Sequence, residues 1–465
     1  KKNEVAKSSS NAALTKIPKV QKVFSGGLNI RLLFSLAFLE FKNIVRDNFF
    51  KAILAAGVLF LFFDAWFGFP TYGTPSLPLT IYMLEVKDFT YVILIFILIV
   101  FMTGEVLHRE RAIRYNQIFG SLPIPNRIVY GSKFLALALV AFVLVNMVLV
   151  SGVINQVIKG YFNFEFGKYF TDLYLIEYPR YIIFIMLAFF VHSIVSKKFM
   201  GHVIAIAIWA FLFGLNSFAN ISNNLYLYGY SPGYTISDMN GFGHFGESLF
   251  WFRFYWLSCG ALLAVIGYLF WKRGTDSGFK SRFQVAKSRL KIPTIITVVL
   301  LLVFWIGSGF YINYNTKTLN YYANSDTGTK TRVDYEKTLS KYARIHQPKI
   351  IDVKVHADLM PKDRSATIKT NFIMVNKSDE PIDSLHLNWG AKSSFKVKKE
   401  IFLIDNQEPV LGKKFDKFGY EIYKLPNKLM PNDTATLELK ITRYFEGFPN
   451  EGSGSQIVYN GTFLN

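Results

Sequence analysis

The sequence predicts a membrane α-helical bundle followed by an antiparallel β-sandwich-like domain. Three observations predict it. Between residues 48 and 312, apolar runs recur near the roughly 20 residues that a hydrocarbon core of about 30 Å requires. Lys and Arg gather in alternate connections between these runs. Beyond Asn313 the runs stop, and apolar and polar residues alternate with the period of a strand.

Composition narrows the class. Of 465 residues, 51% are hydrophobic and 17% aromatic, more than an ordinary soluble protein carries, so the chain reads as polytopic. The formal charge of +20 would suit nucleic acid, but the basic residues sit mainly in short segments between apolar runs, where topology accounts for them. Nucleic acid is therefore excluded as a partner, and the lipid membrane takes its place. Cys259 is the single cysteine and lies in an apolar run, which rules out an intrachain disulfide and a cysteine-based zinc cluster. Residues 1–27 form a basic cytoplasmic segment without the apolar core of a signal peptide, and Lys1 reads as a processed terminus or a cut from a longer chain.

The elements follow in order. In residues 28–47, Arg31, Ser35, Lys42 and Arg46 share a narrow arc at helical spacing, interrupted by Phe38. This segment is expected to be an amphipathic helix in the interface, its basic stripe toward headgroups. Six spans are expected within 48–271, at about 49–69, 88–105, 132–157, 179–196, 202–218 and 248–271. A basic linker, 272–291, leads to a seventh, tethering span at 292–313.

Charge sets the orientation. Segment 106–133 carries Arg109, Arg111, Arg114, Arg127 and Lys133, the next such turn carries Lys197 and Lys198, and 272–291 is basic throughout, so all three belong in the cytoplasm. Two of the alternate connections are poor in positive charge: 70–87 has only Lys87, and 219–247 has no Lys or Arg. An odd number of spans then places the tail outside the cytoplasm, on the periplasmic side of a cell inner membrane. Loop 219–247, rich in Tyr, Gly and Asn, reads as an ordered interfacial cap or as a substrate-exit lid, with Tyr234, Asp238 and His244 as an outer gate.

The tail divides into a neck, 314–345, helical at about 333–345, and a β domain, 346–465. Alternation on both sides of the Pro361–Arg364 turn marks a hairpin over 350–376, and similar patterns recur at Phe395–Phe402, Tyr420–Leu425 and Thr434–Ile441.

No catalytic constellation is visible. There is no G-x-x-x-x-G-K-[ST] phosphate loop and no H-E-x-x-H, so neither ATP hydrolysis nor zinc proteolysis can be assigned to these residues, and no metal ligand is named. Among ionisable residues in the spans, Asp64 needs water or a cation, and Arg180 and Arg253 are its candidate partners. His192 and His202 flank the Lys197–Lys198 turn and read as helix-end residues.

Residues 103–133 (TGEVLHRERAIRYNQIFGSLPIPNRIVYGSK) run from a charged helix through a Ser-Leu-Pro-Ile-Pro turn into the next span. They resemble the region after the second span in ABC-2-type transporter permeases. The resemblance implies a six-span permease half preceded by an amphipathic helix, and a separate ABC ATPase subunit that carries ATP and Mg. It implies ATPase coupling through Arg31, Lys42, Arg46, Glu105, Arg109, Arg111 and Arg114, with Pro123 and Pro125 fixing the turn. It also implies a second permease half or a homodimer mate.

Segments 197–202, 226–234, 237–245 and 251–256 are similar to a bacterial subgroup in which such a permease is fused to an aminopeptidase N-like domain. Residues 348–350 and 375–382 resemble the N-terminal β domain of those zinc aminopeptidases. The zinc helix of that family is absent, so zinc enters only if a catalytic domain follows. Three readings stay open: a permease subunit carrying an external β domain, a membrane-anchored zinc aminopeptidase whose catalytic domain is missing from this chain, and a non-transporting scaffold that relays ATPase motion outward. Six spans exceed what an anchor needs, which favours the first.

Overall fold

Apolar length dictates the first layer of the structure. The computed structural model describes residues 26–67, 74, 77–88, 90–237, 241–273, 278–390, 395–452, 455–459 and 462. Among them, seven helices are long and apolar enough to cross a membrane, and the chain is a multi-pass membrane protein. They are α2 (Asn48–Phe67), α4 (Thr90–Ala112), α6 (Asn126–Ile158), the run α7 (Phe166–Phe170), π turn (Thr171–Glu177) and α8 (Tyr178–Ile194), then α9 (Lys198–Ala219), α10 (Phe245–Phe270) and α12 (Ile292–Asn313). Short helices α3 (Thr80–Glu85), α5 (Asn116–Ser121) and α11 (Phe279–Arg289) lie between them.

The seven spans stand where the hydropathy puts them, with one instructive difference. The fourth begins at Phe166 rather than near 179. Asp172 and Glu177 interrupt the apolar run in the sequence, yet both are almost wholly buried against basic side chains, so the helix continues through them.

The leading helix α1 (Gly26–Arg46) packs along α6, burying Ala37 and Ile44 and leaving Arg31, Lys42 and Arg46 exposed. The rest of segment 1–27 lies outside the described residues. The bundle core is aliphatic and aromatic, with Tyr91, Leu98, Ala141, Leu144, Tyr181 and Phe189 among its buried members. The Tyr91 hydroxyl donates to the Leu144 carbonyl at 2.7 Å, satisfying the one polar atom that this aromatic brings inside.

The basic linker does more than set topology. Arg289 donates to the carbonyls of Tyr268 and Trp271 at the end of α10, and Arg282 to that of Ile194 at the end of α8. Guanidinium groups thus cap carbonyls that have no partner within their own helices.

Beyond α12 a π turn (Tyr314–Leu319) and helix α13 (Ser325–Leu339), capped by the Asn324 side chain, form the neck. Seven strands follow: β1 (Lys349–Met360), β2 (Ser365–Val375), β3 (Ile382–Asn388), β4 (Phe395–Ile404), β5 (Val410–Phe415), β6 (Tyr420–Leu429) and β7 (Thr434–Phe445). They make two antiparallel sheets, ordered β1-β2-β7-β4 and β3-β6-β5. Met374, Ile404, Ala435 and Leu437 of the first sheet meet Ile382, Leu385 and Leu429 of the second, which makes the domain a sandwich.

The β domain is joined to the bundle by more than the chain. Phe448 enters a cluster with Leu225, Phe252 and Ile312. Asn450 accepts from the Asn224 backbone at 3.0 Å and donates to the Ser222 carbonyl at 3.1 Å, while its carbonyl accepts from the Asn224 amide at 2.7 Å. The segment 222–225, at the start of the expected cap, is therefore pinned to the segment that follows β7.

Candidate functional site

Burying an ionised side chain among apolar helices is costly unless a counter-charge accompanies it. At the β-domain end of the bundle, seven acidic and basic residues collect around a cavity of about 700 Å³. Helix α3 and the turn after it deliver Lys87. This segment is anchored because Gln156 of α6 donates to the Pro78 carbonyl at 3.0 Å and in turn accepts from the Tyr169 hydroxyl at 3.1 Å. The π turn delivers Asp172 and Glu177; such widened turns are rare and recur at functional sites.

The pairing is specific. Lys87 Nζ lies 3.0 Å from Asp172 and 3.6 Å from Asp88, and donates to the Leu84 carbonyl at 2.9 Å. Arg180 reaches Glu177 at 3.3 Å and Asp88 at 3.7 Å. Arg253 stands 4.0 Å from Glu177 and donates to the Gly229 carbonyl at 3.1 Å. The Tyr234 hydroxyl donates to Asp172 at 2.5 Å, drawing the loop over the cluster.

Gly229–Ile236 lines the cavity, and below the charges the wall is apolar and aromatic. Phe96 stacks on Trp209 at 4.5 Å, Trp209 on Phe213 at 5.9 Å, and Phe184 meets Phe96 edge-on at 6.0 Å. The arrangement presents a polar rim above an aromatic slot.

Several sequence expectations are corrected here. Asp64 does not pair with Arg180 or Arg253 among the described residues; those cations converge on Glu177, which lies closer along the chain and on the same side of the bundle. Asp64 has a buried carboxylate oxygen with no hydrogen-bond partner in the described structure. Of the expected outer gate, Tyr234 reaches the site, His244 does not line it but sits at the start of α10 with its ring on Phe245 at 4.3 Å, and Asp238 lies outside the described residues. Lys87, Asp88, Asp172 and Glu177 were not expected. A lone lysine in an otherwise cation-free connection was the signal that could have found them.

The opposite end carries a second buried ionic cluster. Lys133 Nζ reaches Glu110 at 2.6 Å, the Val106 carbonyl at 2.5 Å and Glu40 at 3.4 Å, and Arg109 takes the other oxygen of Glu40 at 3.0 Å. Glu105 pairs with Lys198 at 2.6 Å, and Arg111 donates to the Lys272 carbonyl at 2.9 Å. Glu105, Arg109 and Arg111 thus have intrachain partners, whereas Arg114 is exposed in the left-handed region at φ 56°.

Pro123 and Pro125 lie in the expected turn, with Pro125 directly before α6. Arg273 completes it, donating to the carbonyls of Phe119, Leu122 and Ile124. His192 and His202 are not simply helix ends. With His108 they form a buried group from three helices, ring centres 5.6 and 4.9 Å apart, admitted by Gly104 and Gly201 where any Cβ would collide with an imidazole. No set of three or more His, Cys, Asp or Glu among the described residues is arranged to hold a metal ion.

Residues 37–216 match a family model described as ABC-2 family transporter protein. The matched stretch runs from within α1 through most of α9, and so includes the π turn, Arg180 and both ionic clusters except for Arg253. This supports reading the helical part as an ABC-2 permease, a transmembrane component of a transporter. No curated protein matches the chain.

Proposed function

We propose that, as an ABC-2-type permease subunit, this chain is driven by a separate ATPase, pairs with a second permease half or another copy, and carries its β domain outside the cytoplasm. The family match over 37–216 is the observation that carries this reading. What supports the docking assignment is the connection between α4 and α6. It exposes Ile113, Ile118 and Leu122 beside Arg114, while Arg273 and the two prolines fix its shape. ATP and Mg belong to the partner, and α1 with its exposed Arg31, Lys42 and Arg46 extends the same surface.

The test is reconstitution with the ATPase. Ile118→Glu combined with Arg114→Glu touches no buried contact and is expected to lower co-purification and coupled ATP hydrolysis about tenfold. Unchanged coupling would overturn the docking assignment.

Orientation is tested separately. The β1–β2 turn exposes Lys362, so a cysteine placed there is expected to react with an impermeant maleimide on intact cells or spheroplasts. Labelling only after permeabilisation would reverse the topology. The two-sheet sandwich is compatible with an aminopeptidase-like N-terminal domain, but sandwiches serve many functions, so peptidase chemistry finds no support in these residues. The scaffold reading gains from the Asn450 and Phe448 contacts, through which movement of the bundle would reach the β domain.

A further inference from the structure

The cavity at the β-domain end has an uneven charge inventory. Its lining includes four carboxylates, Glu85, Asp88, Asp172 and Glu177, against three cations, Lys87, Arg180 and Arg253. Each cation has a partner, Lys87 in Asp172 and a carbonyl, Arg180 in Glu177, and Arg253 in a carbonyl with Glu177 nearby, although Arg253 Nε is buried without a hydrogen bond in the described structure. The carboxylates at the mouth are the less committed groups. Asp88 is half exposed and meets Lys87 and Arg180 only at 3.6 and 3.7 Å. Glu85 is exposed and has no ion-pair partner among the described residues. Counted as formal charge, the lining therefore carries one more carboxylate than cation, four against three.

Behind that rim the wall is built for a chain. Val92, Ile93, Phe96, Phe184, Trp209 and Phe213 form the apolar side. Ile93 is 49% and Phe213 57% exposed, so the slot continues onto the surface that faces lipid. The faces of Trp209 and Phe213 also attract a cation as it passes, and repel an anion.

We infer that this cavity binds a long-chain amine, its ammonium held by Asp88 and Glu85 and its tail lying along Phe96, Trp209 and Phe213. The assignment names a substrate class for the transport reading and rests on it for biological meaning, although binding itself needs neither ATPase nor nucleotide. An alkyl sulfate fits poorly, because its head would face the two carboxylates least neutralised by the protein. An alkyl chain with an uncharged head gains the wall alone.

The test uses the full chain in phosphatidylcholine nanodiscs, with radiolabelled dodecylammonium and dodecyl sulfate as probes and empty discs as background. Dodecylammonium is expected to bind saturably and at least about tenfold more tightly than the sulfate, as a charge-assisted contact allows. Glu85→Gln with Asp88→Asn is expected to remove most of that preference, and Glu85→Gln alone, at an exposed position with no partner to lose, to remove part of it. Trp209→Ala is expected to weaken both probes. Equal or tighter binding of the sulfate, or an ammonium preference unchanged in both carboxylate variants, overturns the proposal. A free amine and a lipid with an ethanolamine headgroup share the ammonium. Competition when phosphatidylethanolamine replaces part of the disc lipid assigns the site to the lipid, and its absence assigns it to the free amphiphile. Because the chain is measured alone, failure of ATPase coupling leaves this result standing, and failure here leaves the coupling result standing.

Discussion

The two buried ionic clusters lie at opposite ends of one helical bundle and use the same side-chain chemistry, yet they differ in what lies beside them. At the end away from the β domain, Lys133 is 1% exposed and is closed in by Glu110, Glu40 and the Val106 carbonyl. Three helices, α1, α4 and α6, supply that cluster. At the β-domain end, Lys87 is equally buried, but its neighbours Asp88 and Glu85 open onto a cavity of about 700 Å³. The first cluster staples an exposed helix to the bundle; the second leaves charge uncommitted beside an apolar wall. Charge buried on all sides fixes geometry, and charge buried on one side can recognise a ligand.

Removing the first cluster's cation should produce the larger structural effect. Lys133→Met keeps the bulk of the side chain and deletes the ammonium, leaving the Glu40 and Glu110 carboxylates near each other with fewer partners. Breaking a buried pair in this way costs about 3–5 kcal/mol. The variant is expected to melt at lower temperature and to expose α1 to protease, because Glu40 is the polar tie between α1 and the bundle. If thermal stability and α1 cleavage match wild type, the cluster is not a staple and the contrast between the two ends fails.

The bundle itself was legible because span length and loop charge are imposed by the membrane and need no knowledge of tertiary contacts. The hairpin β1–β2 was legible for a similar reason, since Val353, Val355, Phe372 and Met374 alternate with polar residues along two long strands. Strands β3 and β5 were not, being only 7 and 6 residues long, with a bulge in the pairing of each. The candidate site was the least legible part. Lys87 and Asp172 stand 3.0 Å apart in space but 85 positions apart in sequence, by subtraction of their numbers. Each lay in a segment that hydropathy alone assigns to a connection. Arg180 and Arg253 were visible as intramembrane cations, but only folding reveals that Glu177, not Asp64, answers both. The histidine group was hidden likewise, because its members come from α4, α8 and α9 and share no helical face.

Asp172→Asn gives a smaller and more local prediction, and it separates the open cluster from the closed one. The substitution preserves shape and leaves a carbonyl oxygen able to accept from Tyr234, while removing the charge that faces Lys87. Lys87 keeps the Leu84 carbonyl and Asp88, so its ammonium is not abandoned as it would be if every partner were lost. The expected cost is about 1–3 kcal/mol, the range for a weakened bond to a charged group, and less than that of Lys133→Met. Because Tyr234 ties the loop to this carboxylate, the effect should concentrate in residues 229–236, whose amides are expected to exchange hydrogen faster while those of α6 do not change. The opposite pattern, faster exchange in α6 with the loop unaffected, would mean that Asp172 supports the bundle as Lys133 does, and would remove the distinction between a cluster that locks helices and one that covers a binding cavity.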